Sequence, residues 1–132
     1  MRAVGRTSKT RLVTVLAVLT AAVGIGIGVA GTASAASCPS TYACGWKDSN
    51  FGTPRGQWAG TNPNFQAFGQ PACQTNTWND CISSDANEGT QCTVHFWNDA
   101  GYLGGEHSVG RGVFESYVGD SFNDRFSSNN WC

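Results

Sequence analysis

The chain has 132 residues, with 8 basic and 9 acidic side chains and a formal charge of −1. That near-balance joins two unlike pieces: Arg2, Arg6, Lys9 and Arg11 carry half of the positive charge, and no acid precedes Asp48. From residue 36 onward Lys47, Arg55, Arg111 and Arg125 face nine acidic residues, a net of −5. The body therefore lacks the basic patch that a phosphate backbone requires, and the length leaves no room for two domains.

Taken in order, residues 1–11 are cationic, and Leu12 to Ala30 carries no charge. Gly31-Thr32-Ala33-Ser34-Ala35-Ala36 then supplies the A-x-A pattern of a signal-peptidase site. The expectation is a secretory signal peptide over 1–35, cut after Ala35, and a secreted, extracellular mature domain over 36–132. An uncleaved anchor is the alternative, since the apolar run is long enough to span a bilayer. Four glycines in or just after the run favour cleavage.

The body is small, and all 15 aromatic residues and all six cysteines lie within it. An even cysteine count in an exported chain implies three disulfides, with 15 pairings that sequence alone does not resolve. The preferred set is Cys38–Cys44 and Cys73–Cys81, closing short loops, with Cys92–Cys132 spanning the second half. A zinc site is disfavoured: there is no C-x-x-C, and His95 and His107 stand twelve apart with no ligand spacing around them.

Local patterns are those of β-structure. Cys92–Trp97 reads as a strand with Val94 and Phe96 on one face and His95 and Trp97 on the other. Asn98-Asp99-Ala100-Gly101 is turn chemistry, and Glu106–Val109 is a second short strand. Gly119–Asn123 has room for a single helical turn, and no longer helical period occurs.

An internal repeat organises these pieces. Asn79-Asp80-Cys81-Ile82-Ser83-Ser84 returns as Asn123-Asp124-Arg125-Phe126-Ser127-Ser128, and Trp46-Lys47-Asp48-Ser49-Asn50-Phe51 as Trp97-Asn98-Asp99-Ala100-Gly101-Tyr102. Two such units, about 38–90 and 91–132, predict an all-β sandwich of two Greek-key motifs braced by disulfides.

The repeated N-D-x-x-S-S motif suits calcium, which takes six to eight oxygen ligands of mixed type. Asp80 and Asp124 offer carboxylates, Ser83 and Ser127 hydroxyls, and Cys81 and Arg125 backbone carbonyls. Ile82 and Phe126 would plug the core beneath each loop. The same residues also build turns that hold no metal, which is the competing reading.

Trp97, Tyr102 and Gly104 in a W-x4-Y-x-G pattern, followed by N-D-R-F-S-S, resemble the βγ-crystallin Greek-key signature with its calcium motif. The Cys38-Pro39…Cys44 start and the secretory leader resemble the bacterial secreted peptidase-inhibitor branch of that superfamily, whose founding member inhibits thermolysin-like metalloproteinases. The first half departs from the signature, with Thr53 where a glycine belongs and Gly52 one place early. The resemblance implies up to two calcium ions with ligands exchanged between loops. One would be shared by Ser83, the Cys81 carbonyl and Asp124; the other by Ser127, the Arg125 carbonyl and Asp80. Further carbonyls would come from the turns near 48–50 and 98–100. One carboxylate per ion implies micromolar to millimolar affinity.

The resemblance also implies an extracellular protease, specifically a metalloproteinase, as partner. The second half has no short disulfide loop to carry a reactive bond; the nearest analogue is Cys73–Cys81, which overlaps the calcium motif. The alternative is a cell-envelope, glycan-binding or antimicrobial module without inhibitory activity. Catalysis finds little footing: Glu106 beside His107, and Glu115 with Asp120, are the only conceivable acid–base pairs. The chain is thus expected to be a monomer, not an enzyme, binding neither nucleic acid nor, once cleaved, a membrane. Trp46, Trp78, Trp97 and Trp131 are expected in the core and Trp58 at an exposed contact.

Overall fold

The computed structural model describes residues 36–132; the expected signal peptide, 1–35, lies outside the described residues. The strands are β1 (Ala43–Asp48), β2 (Gly52–Trp58), β3 (Ser84–Asn87), β4 (Val94–Asp99), β5 (Leu103–Val109), β6 (Phe114–Glu115) and β7 (Ser128–Trp131). One short 3-10 turn, Phe65–Ala67, interrupts them. The first sheet has the order β2-β1-β3-β6 and the second β5-β4-β7.

All named pairings are antiparallel. The two halves exchange backbone: β6 of the second half joins β3, while Asn62 of the first half bridges to Asn129 on β7. This is the βγ-crystallin-like Greek-key arrangement, and it makes each sheet depend on both repeats.

The repeat is visible atom by atom. Register slips between Trp46 and Asp48 in β1 and between Trp97 and Asp99 in β4, a bulge at the same place in each half. The Ser84 hydroxyl donates to the Asp48 carbonyl and the Ser128 hydroxyl to the Asp99 carbonyl, each at 2.7 Å. Those hydroxyls in turn accept the Phe51 and Tyr102 amides, each at 3.1 Å. The first half's departure is local. Gly104 takes φ of +78°, whereas Thr53 is outside the left-handed region and is followed by Pro54 within β2.

Side chains alternate along β4, so Val94 and Phe96 enter the core while His95 and Trp97 stay half-buried. The main core gathers Trp58, Phe65, Trp78, Ile82, Val94, Phe96, Val109, Val118 and Phe126. A smaller cluster of Cys44, Trp46 and Ala86 lies under the N-terminal segment, against Cys38, Tyr42 and Phe51. Gly45 is required where β1 crosses Ile82, since a Cβ there would lie 2.7 Å from Ile82 Cδ1.

Three tryptophans differ from expectation, the first being Trp97, expected in the core but half-buried on the outer face of β4. Trp58 is only 3% exposed and stacks on Phe65 at 4.6 Å. Trp58 ends strand β2, and Gly56 admits the Trp58 and Trp78 indoles against its backbone. Trp131 is half-buried at the edge of the core. At 119–123 the chain makes one turn, with the Phe122 and Asn123 amides both donating to the Gly119 carbonyl.

Three disulfides brace the fold: Cys38–Cys44, Cys73–Cys81 and Cys92–Cys132. No cysteine is left free.

Candidate functional site

The two N-D-x-x-S-S loops meet face to face. The Asp80 amide donates to the Phe126 carbonyl and the Asp124 amide to the Ile82 carbonyl, each at 3.0 Å. Both aspartates take left-handed backbone, φ 54° and 53°, which turns their carboxylates outward while Ile82 and Phe126 plunge into the core. Ser83 and Ser127 are held from behind, their amides donating to the carbonyls of Trp46 and Trp97. Asn79 and Asn123 each donate a side-chain amide to the neighbouring aspartate.

The side chains therefore pair across the loops. The Ser83 hydroxyl is 3.4 Å from Asp124 Oδ1, and the Ser127 hydroxyl is 3.3 Å from Asp80 Oδ1. Ser127 Oγ is also 3.4 Å from the Arg125 carbonyl. Both serines are buried, both aspartates are exposed, and the Arg125 side chain is exposed. Asp80 and Asp124 share a cleft of about 120 Å³ with Ser83, Cys81, Asp48 and Lys47. Partial burial raises the Asp80 carboxyl above its usual range; hydrogen bonds from Ser127 and Asn79 oppose this, and the charges of Asp99 and Asp124 add to it. Among the differences between the halves, Lys47 beside the first loop corresponds to Asn98 in the second.

The Cys73–Cys81 loop is held without long strands. The Asn76 amide donates to the Cys73 carbonyl, and the Thr75 hydroxyl reaches the Thr77 and Asn79 carbonyls. Gln74, Thr75 and Asn76 stand exposed above it. A separate cleft of about 390 Å³ lies beside Trp131, Thr61 and Gly89.

The acidic and histidine residues pair differently from the sequence reading. Glu106 approaches His95, at 2.6 Å, rather than its neighbour His107. Asp120 accepts the Tyr117 hydroxyl at 2.5 Å rather than pairing with Glu115. His107 Nε2 lies 2.6 Å from Glu115 Oε2 and 3.2 Å from Asp85 Oδ2. These three residues come from β5, β6 and β3, so only sheet packing unites them. The alternation of β5, with His107 and Val109 on its inner face, is the signal that sequence reading could have used.

Burial pushes the Asp85 carboxyl up to about 6 from an ordinary value of 3.8, with His107 partly opposing the rise. Burial pulls the His107 imidazole down, but the Asp85 and Glu115 carboxylates outweigh it and hold its pKa above the ordinary 6.5. Both shifts mean that the folded protein binds protons more tightly than the unfolded chain. The stabilisation is thus fullest in mild acid; Asp85 loses its share between about pH 4 and 6, and His107 as pH rises through a value above 6.5. Metal-free protein is expected to melt several degrees higher at pH 5 than at pH 8. His107→Gln should flatten the upper part of that slope, as read by melting curves in chelator.

The fold and its paired loops define a βγ-crystallin-like domain. The sequence model of peptidase inhibitor family I36 matches residues 31–110, more than half of the chain, and the chain belongs to that family. The family is one of peptidase inhibitors and not of enzymes. No curated protein matched the sequence.

Among solved structures, a βγ-crystallin domain from Clostridium beijerinckii is 18% identical with a TM-score of 0.54, covering 68% of this chain and 95% of that one. A βγ-crystallin from an archaeon is 22% identical with a TM-score of 0.53, covering 71% and 100%. A βγ-crystallin from Ciona intestinalis is 20% identical with a TM-score of 0.55, covering 69% and 99%. At these identities the likeness is one of fold.

Proposed function

We propose that this chain is a secreted, calcium-stabilised domain that binds, and thereby inhibits, an extracellular protease of the metalloproteinase class. The observation that carries the calcium reading is the reciprocal pairing of Ser83 with Asp124 and Ser127 with Asp80. Separations of 3.3 and 3.4 Å are long for hydroxyl–carboxylate hydrogen bonds. They match two oxygens bound side by side on one ion, since bonds of about 2.4 Å at a right angle set the oxygens ~3.4 Å apart.

The donor set fits the ion. It is all oxygen, and a cation there offsets the partial burial and, after it, the Asp99 and Asp124 charges that raise the Asp80 carboxyl. Ser83, Asp124 and the Cys81 carbonyl would hold one ion; Ser127, Asp80 and the Arg125 carbonyl the other. Lys47, paired with Asp48 at 2.9 Å, lines the cleft beside the first loop, and its charge opposes a cation there, so the two affinities differ. When bound, calcium supplies a cross-link between the halves; the chain's own residues supply everything else.

The protease reading rests on family membership and on the Cys73–Cys81 loop. That loop is closed by a disulfide and internally hydrogen-bonded, and such preorganisation lowers the entropic cost of docking. Its base includes Asp80, so calcium would also stiffen it. Titrating the calcium-loaded protein into a thermolysin-like enzyme should abolish peptidase activity at a stoichiometric ratio. Replacing Gln74, Thr75 and Asn76 together by glycine should weaken inhibition. Full activity at a molar excess of wild-type protein would remove the inhibitory part of the proposal.

A further inference from the structure

The cluster of Asp85, His107 and Glu115 has no part in the paired loops, yet it sits at the junction of both sheets. Asp85 is wholly buried on β3, where it pairs with Gly45 on one side and Glu115 on the other. His107 reaches it from β5, with its imidazole packed on Phe122 at 4.9 Å and Phe126 at 5.4 Å. The His107 and Glu115 side chains are 14% and 32% exposed, so one side of the cluster opens to water.

As a purely ionic triad the cluster is poorly satisfied. One imidazole nitrogen, able to carry one proton, stands within 3.2 Å of two carboxylates. Its hydrogen bond goes to Glu115, and neither oxygen of Asp85 has a hydrogen-bond partner among the described residues. Burying an unsatisfied carboxylate is costly, and a protonated imidazole between two carboxylates still leaves one negative charge uncompensated. A divalent ion in place of the shared proton leaves none.

We propose that Asp85, His107 and Glu115 form a binding site for a zinc-class divalent ion, which ties β3, β5 and β6 together across the two sheets. The ligand atoms all lie within 4.8 Å of one another. A tetrahedral ion with bonds of about 2.0 Å sets its ligands ~3.3 Å apart. The His107–Asp85 separation of 3.2 Å already meets this, and Glu115, being the most exposed of the three, has room to move outward. A nitrogen ligand with two carboxylates selects a zinc-class ion over calcium, and the open side leaves the fourth position to water. The site is thus distinct in chemistry and place from the calcium loops.

The test is a titration of the oxidised, calcium-loaded protein with cobalt(II), read by visible absorption, followed by displacement with zinc(II). The expected result is one ion per chain, the intense bands of a tetrahedral site, and a rise in melting temperature. His107→Gln should abolish the bands, and Glu115→Gln should weaken binding by about tenfold or more. His95→Gln should change nothing; it controls for the surface pair of His95 with Glu106. Asp80→Asn with Asp124→Asn, which disables the calcium loops, should leave cobalt binding intact, so the two proposals fail separately. Binding that survives Glu115→Gln unweakened, is lost with His95→Gln, or is absent from the wild type would overturn the assignment and leave a structural ion triad. Should His107→Gln not fold, the half-exposed Glu115→Gln decides alone.

Discussion

Replacing Cys92 and Cys132 together by serine is expected to lower stability by about 4 kcal/mol, against about 2.2 kcal/mol for Cys38 with Cys44. The difference follows from loop length. Cys92–Cys132 closes 40 residues and Cys38–Cys44 only 6, and the longer loop restricts the unfolded chain more. In a domain of this size the larger loss is a fall in Tm of roughly 15–30 °C. The bridge also pins the end of β7, since the Cys132 amide donates to the Thr93 carbonyl just ahead of β4. Paired melting curves of the two variants check this. An equal fall in both would mean that the bridges act on local native packing rather than on the unfolded chain.

Calcium is expected to have an effect of similar size. A ligand present at about a hundred times its Kd stabilises by about 2.7 kcal/mol per site, so two sites contribute about 5 kcal/mol. Removing calcium from the wild type should therefore lower Tm by roughly 20 °C or more. Asp80→Asn and Asp124→Asn should each remove about half of that response, because each carboxylate belongs to a different ion. Each is exposed, so the metal-free fold should change little. Lys47→Asn, which copies the second half into the first, should tighten the Ser83–Asp124 site. Melting curves with calcium and with chelator, run on these four proteins and on the Asp80→Asn, Asp124→Asn double variant, separate these effects. A calcium response that survives in Asp80→Asn with Asp124→Asn would place the ions elsewhere.

Much of this architecture is legible from local chemistry. The strand of the second half, the turn after it and the duplicated N-D-x-x-S-S loops are short-range features. The strand expected over 92–97 nonetheless forms two residues later, at Val94–Asp99, and the turn expected at 98–101 follows at 100–102. The burial of Ile82 and Phe126 also follows from the motif, since both are fully buried apolar residues in otherwise polar loops. What short-range reading missed was set by long-range packing. Trp58 lies in a Gly-rich stretch that looks like a loop, but the segment around Phe65 folds over it. Asp85, His107 and Glu115 are spread over three strands, and only the exchange of β6 into the first sheet brings them together. The Ser–Asp partnership across the loops depends on the same two-fold exchange, and there the repeat itself, through its family resemblance, carried the signal.

Calorimetric titration of calcium into the oxidised, chelator-treated protein tests the central reading most directly. Two binding events of unequal affinity in the micromolar to millimolar range are expected, the weaker one tightened by Lys47→Asn, with a Tm that rises with calcium. No heat of binding, together with a Tm that is the same in calcium and in chelator, would contradict it and leave the paired loops as structural turns.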